Sequence, residues 1–296
     1  MIDSIEPLLG IESGGTILTI HGENLTIGNN HVSILIGNRP CQLLSISRNK
    51  VQCETSSFIS LETEESQSMK FYFDRQTKII SEKYFRVVSN PKLESFSKNH
   101  QYLSFMSGGH QTIIVGTGFN AVQNIRLEFK RKIFVSPLFR NDTHLIFLTP
   151  SIQELYMNAG TDYHDTVDMT IHLDHFNQTS SVTYVNDPLI YELEPMLQTF
   201  TNALTIQGAN LTLIGHMKND VLVHIGCDLC VITQLETDRI VCRPPLSRPK
   251  KYSKVNRLCY DSEHPWIIVT IDNIHSHVGY MMYPKRLIIL GKIIIK

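Results

Sequence analysis

Neither sign of charge dominates this 296-residue chain, and it has no membrane-length apolar run, no sustained helical periodicity and a single tryptophan. Its 27 Lys and Arg against 28 Asp and Glu leave a formal charge of −1. That balance gives no support to a nucleic-acid or anionic-membrane partner, which favours a clear basic excess. The C-terminal RLIILGKIIIK is apolar but short and broken by Lys292, whereas a membrane helix needs about 20 largely apolar residues, so no span is expected within the chain. The first thirty residues carry no basic stretch followed by an apolar one, so no secretory leader is visible. That leaves a cytosolic chain or a piece of a longer one. Nucleophile signatures such as G-x-S-x-G are missing, so no enzyme is expected, and no catalytic, cofactor-binding or metal-binding residue is assigned. Trp266 sits in a strand-like run and is expected in the core.

Cysteine is absent between Cys53 and Cys227, and the six present fall into two groups. Cys41 and Cys53 have the same spacing as Cys230 and Cys242, at equivalent places in the first and third of three similar segments; the second has Val135 and Phe147 there. Losing both cysteines together to an apolar pair is what a buried disulfide predicts. Cys227 and Cys259 remain for a third bridge. The competing reading is a zinc site from Cys227, Cys230, Cys242 and Cys259, although it leaves the first segment's pair unexplained. Six cysteines without an odd thiol suit an oxidising compartment.

What the chain does have is an internal repeat. SGGTILTIHGENL from Ser13 aligns without gaps with SGGHQTIIVGTGF from Ser107 and, more loosely, with TFTNALTIQGANL from Thr199, placing Gly22, Gly116 and Gly208 in register. SRNKVQCETS (47–56), NDTHLIFLTP (141–150) and ETDRIVCRPP (236–245) share a turn, a short apolar run and a polar or proline stop. YFRVVSNPKL (84–93) and VTYVNDPLI (182–190) both run into Asn, Pro or Asp, Pro and a new apolar start, and their prolines suit short stiff linkers. HVSILIG (31–37), MKFYFD (69–74), DVLVHIG (220–226) and WIIVTID (266–272) read as strands. The best helix candidate, SIQELYMNAG (151–160), is short. An all-β protein of three tandem immunoglobulin-like sandwiches follows, with about seven strands each, at 1–89, 90–186 and 187–283, and an apolar tail at 284–296.

Four N-x-S/T sequons, at Asn24, Asn141, Asn177 and Asn210, fall where loops or strand ends are expected and are candidate glycosylation sites. Gly118 replaces Asn24 and Asn210 in the second segment, and Asn/Gly exchange predicts a positive φ there. In HDTVDMTIHLDH (164–175), His172 and Asp174 are expected to share one strand face while His175 points away, which reads as a solvated strand edge rather than a metal tripod. The opening double glycine is followed by a strand, not the helix a phosphate loop requires.

The S-G-G-T-x-L-T-I-x-G-x-N-L opening, the repeated cysteine pair and the aromatic-to-Asn-Pro ending resemble IPT/TIG domains, and their tandem order resembles the membrane-proximal ectodomain of plexins, the semaphorin receptors. The resemblance covers about Ile5 to Tyr283 and is most specific at 220–245 and 266–283. The third segment departs from the pattern, having Phe200 and Thr201 in place of the glycines, and the second lacks the cysteines. The resemblance implies a non-catalytic, extracellular spacer in semaphorin signalling, with semaphorins bound by a distal domain not encoded here, neighbouring receptor chains as further partners, and no cofactor. It places KRLIILGKIIIK where a plexin's membrane helix would begin, so the chain is expected to be a fragment of a single-pass receptor. Sandwiches stacked lengthwise would reach roughly 70 Å or more. The alternatives are a Rel-like DNA-binding IPT protein, the stalk of a hepatocyte-growth-factor-receptor-like kinase, and an accessory module of a carbohydrate-active enzyme.

Overall fold

Short runs of β-branched and aromatic residues between turn residues favour strands, and the computed structural model of the chain is built almost wholly of them. It describes residues 2–26, 32–58, 65–73, 77–96, 101–130, 133–156, 165–193, 196–197, 203–215, 218, 220–249 and 264–283. The four strand-like runs appear as Val32–Ile36, Glu65–Phe73, Val221–Ile225 and Trp266–Ile271. The helix candidate yields Ile152–Tyr156, its remainder lying outside the described residues, as does the tail 284–296.

Strands of the first repeat form one eight-stranded sheet rather than two separate layers. The reason is Arg39–Ile46, which pairs through Arg39–Cys41 with Val32–Ile36 and through Cys41–Ile46 with Lys50–Thr55, so one strand serves both halves. A register shift between Leu43 and Ser45 allows the bend. The second repeat has two sheets. One runs Gln101–Phe105, Phe176–Val185, Thr166–Leu173, Ile125–Phe129, Ile133–Val135; the other runs Phe139–Arg140, His144–Leu148, Gln111–Thr117, Lys92–Leu93. The third repeats this split with Leu189–Ile190, Leu204–Ala209, Arg239–Arg243, Val231–Leu235 and with Met196–Leu197, Ile274–Met282, Trp266–Ile271, Val221–Ile225, Asp228–Leu229.

The repeat is visible in the pairing itself. Leu18 lies opposite Cys53, Thr112 opposite Phe147 and Leu204 opposite Cys242. The amides of Gly22, Gly116 and Gly208 donate to Asn49 O, Thr143 O and Asp238 O at 3.1, 2.9 and 2.8 Å. Asn24, Gly118 and Asn210 have φ of 56°, 86° and 63°, the left-handed backbone that the Asn/Gly exchange predicts.

Alternation drives burial: Leu18, Ile20, Ile34 and Phe85 point into the first core, and Leu204, Val223, Val269 and Met281 into the last. Disulfides join Cys41 to Cys53 and Cys230 to Cys242, each with Cα atoms 5.5 Å apart, while the second repeat buries Phe147 at the matching place and half-buries Val135. Cys227 is disulfide-bonded too, and Cys259 lies outside the described residues. These bonds remove Cys230 and Cys242 from the zinc alternative. By packing, the chain divides into two compact units, one of Met1–Tyr102, Gln111–Pro150 and Glu154–Thr183, the other of Leu103–His110, Ser151–Gln153 and Tyr184–Lys296.

Candidate functional site: two loop-to-turn junctions

Within the first unit, the Ser13-Gly14-Gly15-Thr16 loop meets a distant hairpin turn. The loop opens with a turn closed by Gly14 N donating to Ile11 O at 3.0 Å, and its glycines have φ of 77° and 88°, which side chains rarely adopt. Ser13 N donates to Asn90 Oδ1 (3.1 Å), so the residue before Pro91 fixes the loop's first amide. Gly15 N donates to Thr55 O (2.8 Å). Against this loop lies the Asp174-His175 turn between Thr166–Leu173 and Phe176–Val185. His175 N donates to Gly14 O at 3.3 Å, Thr16 Oγ1 to Asp174 Oδ2 at 3.4 Å, and His175 Nε2 lies 3.3 Å from Glu54 Oε1. A Cβ on Gly15 would stand 2.7 Å from His175 N, so the close approach requires glycine.

Asp174 also accepts from Gln123 N (3.0 Å) and Asn124 N (2.7 Å). The Gln123 side chain accepts from Ile17 N at 2.7 Å and donates to Ile17 O at 3.1 Å, doing with one amide what a neighbouring strand's peptide would do. Burial raises the pKa of Asp174, opposed by these hydrogen bonds and by His175.

The second unit contains the same device. Ser107 N donates to Asp187 Oδ1 (2.9 Å), Asp187 preceding Pro188 as Asn90 precedes Pro91. Gly108 N donates to Phe105 O (2.9 Å), and Gly108 and Gly109 have φ of 69° and 82°. The opposing turn is Asp272-Asn273, and Asp272, like Asp174, is left-handed, with φ of 48° against 51°. His110 stands where Thr16 stood, with Nδ1 3.3 Å from Asp272 Oδ2, and Asn273 Nδ2 donates to Ser107 O at 3.3 Å. A Cβ on Gly109 would clash with the Asn273 side-chain amide.

These junctions correct the reading of 164–175. His172 lies half-buried within its strand, with Nε2 2.7 Å from Glu128 Oε2 and Nδ1 2.7 Å from Asn177 Oδ1, while Asp174 and His175 form the turn itself and contact the glycine loop. The strand is interior to its sheet rather than an edge, although His175 itself stays half exposed. Trp266 is likewise not core: it is 45% exposed, its ring 4.1 Å from that of His277. Asn24, Asn141 and Asn177 are exposed and Asn210 is half-buried. Among the described residues, no group of His, Cys, Asp and Glu is arranged to hold a metal ion, and no helix is long and apolar enough to cross a membrane.

Residues 1–72 match the family described as IPT/TIG domain. Across 98% of its length the chain is 26% identical to Plexin-2 of Caenorhabditis briggsae, and across 95% it is 23% identical to Plexin-B1 of Homo sapiens. It spans only 17% and 15% of those proteins. Among solved structures, the full extracellular region of plexin A4 superposes with a TM-score of 0.65 at 20% identity, over 92% of this chain and 23% of that one. Over nearly its whole length the chain is similar to a segment of plexins, and its first 72 residues match the IPT/TIG domain.

Proposed function

We propose that the chain is a non-catalytic segment of the extracellular region of a plexin-type cell-surface receptor. Three repeats, at 1–89, 90–186 and 187–283, form an elongated spacer between a distal semaphorin-binding part and the membrane. The observation that carries this reading is a junction built twice to one design, a Ser-Gly-Gly loop fixed by the Asn or Asp before a linker proline and seated on an Asp-containing turn late in the following repeat. Backbone-to-backbone and carboxylate contacts of this kind hold a direction, which is what a spacer supplies. The DNA-binding alternative gains nothing from a near-neutral chain with bonded cysteines.

The extracellular part of the proposal is tested by directing the full chain into the secretory route of cultured cells, followed by mass spectrometry without reduction, before and after enzymatic glycan removal. All six cysteines bonded and a mass loss on deglycosylation are expected. Six free thiols with no glycan shift would overturn it.

A further inference from the structure

We propose that an N-linked glycan on Asn141 covers an apolar row whose equivalents in the other two repeats are wholly or mostly polar. The inference rests on the extracellular reading. Ile113 pairs with Ile146, and Ile146 with Phe139, so the three form one row across the sheet. Ile113 is 47% and Phe139 48% exposed, and the neighbouring Leu138 is 65% exposed. Phe139–Arg140 is also the sheet's edge strand, so an apolar face adjoins unpaired backbone, a combination that invites association.

Asn141 lies on that same face. It is two residues beyond Phe139, and its N–H donates to His144 O at 3.0 Å, His144 in turn being two residues before Ile146. Side chains two apart on a strand share a face, which puts Asn141 in the row next to Ile113, Ile146 and Phe139. Its Oδ1 accepts from Thr143 N (2.8 Å), Thr143 Oγ1 (3.2 Å) and His144 N (2.6 Å), which fixes the side chain by its oxygen and leaves Nδ2, the sugar-bearing atom, outside that set.

The other repeats supply the comparison. The first repeat's matching row is Thr19, Gln52 and Ser45, linked by Gln52 Nε2 to Thr19 Oγ1 and Ser45 Oγ to Gln52 Oε1, both 3.2 Å. In the third it is Thr205, Val241 and Gln234. The turn position of Asn141 is Ser47 in the first, its backbone N–H donating to Lys50 O, and Glu236 in the third, its backbone N–H donating to Arg239 O. The sequon at this turn and the apolar row occur together, in the second repeat. Attachment forms a bond from Nδ2 to the anomeric carbon of the first sugar, breaks that carbon's bond to the diphosphate of a lipid-linked oligosaccharide donor, and releases an amide proton. The C–H faces of the sugar rings then pack on the row.

The test uses the secreted full chain, with glycopeptide mass at Asn141, hydrophobic-dye fluorescence and sedimentation as readouts. Enzymatic deglycosylation of the folded protein and the variant Thr143→Ala, which deletes the sequon and keeps Asn141, should each raise dye fluorescence and shift material to larger species. In an Ile113→Thr/Ile146→Gln/Phe139→Ser background, which copies the first repeat's row, Thr143→Ala should change neither. A bare Asn141 beside an occupied Asn24, Asn177 or Asn210 overturns this inference alone, as does an unchanged readout or an effect that persists in the polar background. No sugar at any of the four with six free thiols overturns the extracellular reading and this inference with it.

Discussion

The Ser13–Thr16 and Ser107–His110 loops solve one problem with one backbone and different side chains. Both use paired left-handed glycines, a fixed serine amide and a left-handed Asp in the opposing turn. In the first, the contact is dense: Asp174 accepts from Thr16, Gln123 and Asn124, and Gln123 pairs with the Ile17 peptide. In the second, His110 faces Asp272 directly and Asn273 takes over one backbone contact with its side chain. The difference teaches that the glycine loop and the acidic turn are the shared frame, while the residue after the glycines and the residue after the Asp set how the contact is held.

The glycines give the largest expected break in that comparison. Gly15→Ala should destabilise the first unit by roughly 3 kcal/mol, combining a left-handed penalty with overpacking against the His175 backbone amide. Trimming His175 should not restore it. Gly109→Ala meets a side chain instead, so Asn273→Ala should recover part of its loss, leaving about 1–2 kcal/mol from the backbone alone. Denaturant titration of the four variants measures both, and equal rescue at the two sites would erase the distinction.

A smaller effect separates the two carboxylates. Asp174→Ala strands Gln123 N and Asn124 N and should destabilise its unit by about 2 kcal/mol, whereas Asp272→Ala removes its contact with His110 and should give about 1 kcal/mol. The same titration checks the order.

The smallest effect is a pH slope. Because burial raises the pKa of Asp174 above its ordinary 3.8, its protonated form is the one favoured by folding. That stability is fully present below the ordinary value and lost as pH rises through the raised one. Asp174→Asn should remove this component, so the difference in thermal midpoint between variant and native chain should change across the acid range. A constant difference would show that Asp174 titrates alike in the folded and unfolded chain.

Much of the fold was legible because its signals are local. The glycine register of 22, 116 and 208, the twelve-residue cysteine spacing and the β-branched runs each reflect a turn, a bridge or a strand that neighbouring residues determine. The single sheet of the first repeat was not, since it depends on Arg39–Ile46 pairing on both sides at a register shift. The junctions were hidden for another reason: Thr16 and Asp174 are 158 residues apart, and His110 and Asp272 are 162. A local reading therefore took Asp174 and His175 for solvent-facing strand residues. The recoverable signal was the joint recurrence of Ser-Gly-Gly, of Asn90-Pro91 with Asp187-Pro188, and of an apolar residue before Asp at Leu173 and Ile271. Trp266 was misplaced because its outward position follows the pleat of its strand, which aromatic content alone does not reveal.

Small-angle scattering of the full chain tests most directly whether the repeats act as a spacer. An elongated particle is expected, roughly 70 Å or longer, with a broader distance distribution when Gly15→Ala and Gly109→Ala are combined. A native chain that scatters as a compact globule, with a radius of gyration of about 19 Å for this length, would contradict it.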